Sequence, residues 1–425
     1  MKLKLTLISV ILLSSLCFGQ SKGDAVEVMD LNRAMDLALK NNSDLLSVRQ
    51  DLIIAESRVK EAVFRFFPQI SFSSTITKSE LEHPVVFSEE FSNHYLSPTI
   101  FENFYTFRTH AVQTLYSGGR NKNTLRLARA SLKQTKTEYE KIKREIELKL
   151  KKAFYELLCC EKLYQVISQW NSEIDNLSKR IRLNAWDRIE LKKLKSELIF
   201  DLDFAEKEIK QKKLQLIKAL NKETNTEINI TGKFQPSDTE LKLEQAIFWA
   251  MERRPELKSQ VYSAQMDEIS LHLAMSRRAP TISLSGTYDY TGHKFPLNES
   301  SWYTTLAVHF PLSFDLWTQV QQRRAEVRKG DLKRANIQDE IKIQVRCAYN
   351  DLVFWQNAVK YNFETYNELN NDFKNAVRNS SINISAIRSA LSVYKTQIKY
   401  LMSVKNQLIG NAQIEWVLGC EIPCR

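Results

Sequence analysis

Laid over itself with a shift of 212 positions, the chain places Leu31, Ala34, Ala38 and Leu45 on Leu243, Ala246, Ala250 and Leu257 without a gap. The register holds through Ala62 on Ala274 and Pro68 on Pro280, and then Ile70, Ser71 and Ser73 meet Ile282, Ser283 and Ser285. An internal repeat constrains a fold more than composition does, because one structural plan has to serve twice. Beyond the aligned prolines a shift of 197 fits better, with Leu115 on Leu312 and Ala128 on Ala325, so the first half carries about fifteen extra residues.

Each half opens with a helical pair. Asp30 supplies a cap, Leu31, Ala34, Leu37 and Ala38 an apolar stripe, and Asn41-Asn42-Ser43 a break before a second helix from about 44 to 66. Pro68 ends that helix, since proline lacks the amide donor and clashes with the preceding turn. The period then changes to two. Ile70, Phe72, Ser74 and Ile76 alternate with Gln69, Ser71, Ser73 and Thr75, and Ile282, Leu284, Gly286, Tyr288 and Tyr290 alternate with Ser283, Ser285, Thr287 and Asp289. Such alternation predicts strands with one greasy and one wet face. Return strands are expected at about 105–116 and 304–314, the second with Leu306, Val308, Phe310 and Leu312 on the greasy face, after loops at 79–104 and 293–301.

The longest elements come next. From about Gly119 to Leu183 and from Leu316 to Asn379 there is no proline, and the one interior glycine is Gly330. Each stretch can therefore be a single helix of ~60 residues, or ~90 Å. Helices from about Asp187 to Leu220 and Ser385 to Gly410 return along them. Apolar spacing of the coiled-coil type links Leu148, Ala153, Phe154, Leu157 and Leu158 to Leu191, Leu194, Leu198, Leu202 and Ala205.

The N-terminus pairs Lys2 and Lys4 with an apolar run from Leu5 to Phe18, the pattern of an export leader too short to anchor in a bilayer. The plan is then a leader over 1–19 and a first repeat over 20–222, with a β-hairpin at about 69–116 and a helical hairpin at about 119–220. A polar connector over 223–242 leads to a second repeat over 243–419, with hairpins at about 281–314 and 316–410, and a tail over 420–425. Leu16 is bulky where a lipoprotein needs a small residue, which argues against lipidation of Cys17. Of the other cysteines, Cys159, Cys160 and Cys347 sit in apolar helical stretches and read as free buried thiols. Cys420 and Cys424 either close a small terminal loop or stay free, a structural matter in both cases.

Lysine and arginine outnumber the acids for a net charge of +11, which raises nucleic acid as a partner. The charges alternate in sign along helices, as in Lys141, Lys143, Arg144, Glu145 and Glu147, and solvated helical faces explain them better. No nucleic-acid partner is expected. Neither metal nor cofactor is expected either, because the six histidines are scattered and no HExxH, CxxC or phosphate loop occurs. No clustered nucleophile and base points to an enzyme.

Four amphipathic strands in an exported chain raise the matter of edges, since an open sheet in lipid leaves rows of unpaired amides and carbonyls. Closure solves it. Four strands are too few for a barrel that encloses anything, but strands from several copies can close one together. On this reading Ile70, Phe72, Ile76, Ile282, Leu284, Leu306, Val308 and Phe310 face lipid, and Ser71, Ser73, Thr75, Ser283, Ser285, Asp289 and His309 face a water-filled lumen. His110 shares the wet side. Aromatic residues at strand ends, among them Tyr95, Phe101, Phe104, Tyr105, Phe107, Tyr116, Tyr288, Tyr290, Trp302 and Tyr303, suit interfacial girdles.

The pattern Leu31, Ala34, Ala38-Leu39, Asn42-Ser43-Asp44-Leu45, then Phe67-Pro68-Gln69-Ile70-Ser71, then Gln113, Leu115-Tyr116-Ser117-Gly118-Gly119-Arg120 resembles the TolC-like outer-membrane efflux proteins. Its echo in Arg254-Pro255-Glu256-Leu257 and Ala279-Pro280-Thr281-Ile282-Ser283 resembles that family's second repeat, and the likeness covers nearly all of residues 27–419. The resemblance implies an α+β membrane protein of long antiparallel coiled-coil helices, with four transmembrane strands per protomer in two structural repeats. Three copies are implied to form a twelve-stranded barrel in the outer membrane, continued by a twelve-helix barrel across the periplasm. It also implies docking to a periplasmic adaptor and an inner-membrane transporter.

The far ends of the helical hairpins are where a gate or an adaptor contact is expected: Leu183, Asn184, Ala185 and Trp186 at one tip, Asn379, Ser380, Ser381 and Ile382 at the other. The family's tip glycines are absent, Ser380 standing at the second position, and Ala386 and Ser389 stand where some members carry an acidic ring. Trp186 suits either an adaptor contact or hairpin packing. Export of small molecules and type I protein secretion are both open, and a soluble periplasmic coiled-coil scaffold is the alternative from another class.

Overall fold

A computed structural model describes residues 27–78, 103–180, 184–237, 240–311, 314–379 and 383–421. The expected leader with Cys17, most of the first loop with Tyr95 and Phe101, and Leu183, Leu312, Ser380, Ser381, Ile382 and Cys424 lie outside the described residues.

The first half begins with β1 (Glu27–Met29), α1 (Leu31–Asn41) and α2 (Ser43–Phe64). Asp30 caps α1 by accepting the Arg33 amide at 2.9 Å, and Asn42 caps α2 through the amides of Asp44 and Leu45, so the predicted break is a cap. Then come β2 (Gln69–Thr77), β3 (Phe104–Tyr116), α3 (Arg120–Lys179) and α4 (Ala185–Ala219). After β4 (Ile228–Ile230) the second half runs through the same order: α5 (Leu243–Arg253), α6 (Pro255–Ser276), β5 (Thr281–Gly292), β6 (Glu299–His309), α7 (Asp315–Asn379) and α8 (Ile384–Leu418).

β4 departs from the sequence reading, which had only a polar connector there. It pairs in parallel with β1, Met29 opposite Ile230, and the two fasten the segment before α1 to the end of the first half. Strands of three residues are too short for a period to show. β6 is a second departure, beginning at Glu299 and stopping at His309, so Phe310 lies just past the strand. Its early part, Glu299 to Tyr303, is polar or bulky on both faces and shows no clean alternation. α8 is a third, running eight residues past Gly410 to Leu418. The helix goes on past that glycine because Ile414, Val417 and Leu418 beyond it are buried against Ala246 and Ala250 of α5 and Val345 of α7.

The four longer strands form one antiparallel sheet in the order β2-β3-β5-β6. Below it the helices form a wall. Beside the sheet the order is α2, α3, α6, α7, and toward the tips it is α4, α3, α8, α7. The apolar core is correspondingly divided. One part joins Leu150, Phe154 and Leu157 of α3 to Ala34 and Ala38 of α1, a second joins Val345 and Leu352 of α7 to Ala246 and Ala250 of α5, and a third near the tips joins Ile174 and Leu177 to Ile387 and Tyr394. The alanines of α1 and α5 let each short helix lie close against its long one.

A candidate pore wall and its open edges

Alternation sorts the side chains of the sheet. Ile282 stands opposite Val308, Leu284 opposite Leu306 and Tyr288 opposite Trp302, all on one face. Ile70, Phe72 and Ile76 extend that face across β2, and Phe72 is 68% exposed. The other face carries Ser71, Ser73, Thr75, Ser283, Ser285 and His309, with His309 opposite Thr281. Here Arg108 of β3 donates through Nε and Nη2 to Asp289 Oδ1 and Oδ2 at 2.7 and 2.9 Å, and His110 Nδ1 lies 2.8 Å from Thr287 Oγ1. Asp289 and Thr287 are buried beneath these partners. Phe104 and Tyr303, grouped above with the girdles, belong by register to this wet face, since Phe104 pairs with Thr77 and Tyr303 with Thr287.

Such a sheet presents apolar side chains where nothing in the protomer covers them, and polar ones on the side where they meet each other. A soluble sheet does the reverse. Exposed aromatics gather where the strands meet the helices: Phe64 at the end of α2 and Phe67 after it, Tyr116 at the end of β3, and Phe314 just before and Trp317 just inside α7. Arg278 lies with its guanidinium 3.9 Å from the centre of the Trp317 ring. Aromatic rings and Arg in such a belt are suited to a plane where hydrocarbon gives way to headgroups.

Both edges of the sheet are open. β2 pairs only with β3 and β6 only with β5 among the described residues, and every residue of both strands is exposed. The helical wall is open at the same two sides. α7 leaves Ile343, Phe354 and Tyr361 exposed along one margin, and the other margin shows Ile53 and Phe64 of α2 and Ile189, Phe200 and Phe204 of α4. Among the described residues no helix is long and apolar enough to cross a membrane.

At the tips Asn184 caps α4 in a reciprocal arrangement with Asp187, and Ala185 and Trp186 are exposed, Trp186 by 80%. Asn379 is the last residue of α7. The two hairpins are tied together close by. Arg388 of α8 donates to both carboxylate oxygens of Glu190 on α4 at 2.6 and 2.5 Å, and Tyr394 Oη donates to Asp201 Oδ2 at 2.9 Å. The bond from Arg388 holds the Glu190 carboxyl below the usual range. Burial, helped by Asp201, pushes the Tyr394 phenol up. Neither tie was legible in the sequence, for each joins residues almost two hundred positions apart. Ala386 and Ser389 line a groove at the tip with Asp372 of α7.

The cysteines divide. Cys159 is buried and its thiol is pushed up to about 12 by that burial, while Cys347, expected to be buried, is exposed on α7. Residue 347 sits beside the margin of α7 that no helix of the protomer covers, which periodicity alone does not reveal. Cys159, Cys160 and Met402 share a cavity of about 420 Å³ between α3, α4 and α8, lined also by Phe204 and Tyr394. No group of three metal-binding side chains occurs among the described residues.

The fold and its two-faced sheet define a class: a wall of four strands continued by long helices, open at both edges among the described residues. Residues 34–177 match the outer membrane efflux protein family. The whole fold is similar to a membrane protein from Pseudomonas aeruginosa, at 15% identity and a TM-score of 0.75 over 92% of this chain and 93% of that one. It is also similar to the CmeC outer membrane channel of Campylobacter jejuni, at 12% identity and 0.75 over 92% and 85%, and to the outer membrane protein VceC of Vibrio cholerae, at 14% identity and 0.73 over 92% and 97%. No curated protein sequence matches. Sequence and fold thus agree on the TolC-like outer-membrane efflux proteins as the family this chain resembles.

Proposed function

We propose that the chain is one third of a trimeric outer-membrane channel, the exit duct of an efflux system. The observation that carries this reading is the sheet: an uncovered apolar face, a polar face, and two unpaired edges on β2 and β6. In hydrocarbon each unpaired backbone group costs several kcal/mol, so β2 of one copy has to meet β6 of the next. The ring then repeats the protomer's order, and the long helices close by the same operation, α7 of one copy against α2 and α4 of its neighbour. Twelve strands and twelve helical segments surround one passage.

Passage through such a tube is passive, and the described residues hold no group that would supply energy. A transporter in the inner membrane and a periplasmic adaptor would provide it, the adaptor meeting the tips at Asn184, Ala185 and Trp186 and around Asn379. In this reading Ser71, Ser73, Thr75, Ser283, Ser285, Asp289 and His309 line the lumen, and Ile70, Phe72, Ile76, Ile282, Leu284, Leu306 and Val308 meet lipid, with Phe310 at the rim. A protein-secretion duct would use the same wall, the cargo being chosen by the inner-membrane partner.

The experiment is a mass measurement on the detergent-purified particle, joined to conductance in a planar bilayer. Three protomers and discrete conductance steps are expected. A particle of one or two protomers, or a protein that leaves the membrane fraction in a high-salt wash, refutes the channel.

A further inference from the structure

The positive charge of this chain is not spread evenly. Between Arg120 and Thr137 at the start of α3 stand Arg120, Lys122, Arg126, Arg129, Lys133 and Lys136, and no acid. Five of these, from Lys122 to Lys136, follow one another at steps of four and three residues, which places them on a single face of the helix over ~21 Å. All five are exposed, and none has an ion pair among the described residues. Lys133 alone has a ring partner, its Nζ 5.8 Å from the centre of Tyr262. Glu140, the next residue in step, ends the stripe.

One contact fixes which side of the wall this face is on. Arg120, about 160° around the helix from the stripe, donates to Thr281 Oγ1, which lies on the wet face of the sheet. The stripe therefore lies on the outer side, the side of Ile70, Phe72 and Leu284. It starts at the level of the exposed aromatics Tyr116, Phe314 and Trp317.

We propose that this stripe is a collar for anionic phospholipid headgroups in the leaflet next to the helices. The inference rests on the membrane-channel reading and adds a lipid partner to it. The apolar face above the stripe meets acyl chains, and the headgroup layer is only ~5–8 Å deep, so phosphates lie beside Lys122 and Arg126. Arg129 and Lys133 act from ~5 and ~10 Å beyond that layer, within about one Debye length, and Lys136, ~15 Å beyond it, is largely screened. The effect of removing a charge should therefore fall off from Lys122 to Lys136.

The test uses the purified full-length oligomer in mixed micelles containing either phosphatidylglycerol or phosphatidylcholine, with bound lipid counted by native mass spectrometry. The wild-type protein should retain phosphatidylglycerol preferentially, with binding on the order of fivefold weaker for each of Lys122 and Arg126 lost. A triple variant, Lys122→Gln, Arg126→Gln, Arg129→Gln, should lose most of the preference. The control triple Lys192→Gln, Lys193→Gln, Lys207→Gln, which removes the same charge from α4 nearer the tips, should keep it. Equal retention of both lipids, or equal effects of the two triples, overturns the collar. Should the first triple fail to assemble, a wild-type salt titration decides, because a headgroup preference of this origin must shrink severalfold between about 0.05 and 0.5 M salt. A trimer without headgroup preference sinks the collar alone, whereas a lipid-free protomer sinks the channel reading with it.

Discussion

Replacing Leu284 with arginine places a charge on the apolar face of β5, opposite Leu306. Leu284 is three residues into β5, ~10 Å along the strand, or ~8 Å of depth at a tilt of ~40°. The apolar band of a transmembrane barrel is ~25 Å tall, so this position lies about two thirds of the way to the midplane. Arginine costs ~2–4 kcal/mol at the midplane and ~0–1 at the interface, and ~2 kcal/mol per protomer is expected here. Three copies bring this to ~6 kcal/mol for the ring. Ser285→Arg is the comparison, one residue along and on the wet face between Val112 and Thr305, where water solvates the new charge. The assay follows the heat-sensitive oligomer on gels during folding into lipid vesicles. Leu284→Arg should lower the folded yield by more than tenfold and Ser285→Arg by less than threefold. Equal yields for the two, or the reverse order, would refute the assignment of faces and with it the argument for closure.

Glu190 is paired with Arg388 and held below the usual carboxylate range, so its stabilising contact is present above that range and lost as pH falls through the depressed value. Protease cleavage at the tips should stay flat from pH 8 to 5 and rise only in stronger acid, whereas Glu190→Gln should show the faster cleavage at every pH. Gly118 has φ +61 and an added Cβ would overlap that of Ala279, while Gly410 is helical with its nearest neighbour at 3.9 Å. Gly118→Ala should therefore destabilise by at least about 1–2 kcal/mol, and Gly410→Ala should stabilise by up to ~1 kcal/mol, both read from thermal dissociation of the oligomer. Asp289→Asn leaves Arg108 without its carboxylate on the wet face and should shift the reversal potential toward anions. Cys159, with a thiol pushed up to about 12 by burial, should resist alkylation at pH 8 until the protein is unfolded.

Much of this molecule is written in consecutive residues. The change of period after Pro68 and Pro280 separates helix from strand, and it already assigns Phe72 and Leu284 to one kind of surface and Ser73 and Ser285 to the other. Sixty residues without proline can hold one helix because each turn is satisfied by its own neighbours. What tertiary structure decided are the contacts between segments far apart in the chain. It set β3 against β5, and so joined the two halves into one sheet through Arg108 and Asp289. It brought Arg388 to Glu190 at the tips, paired β1 with β4, and left Cys347 uncovered. It also decided the side of the wall on which the five cations from Lys122 to Lys136 stand. Periodicity says that residues share a face, but only the neighbouring elements, by covering one side and leaving the other bare, say which way that face is turned.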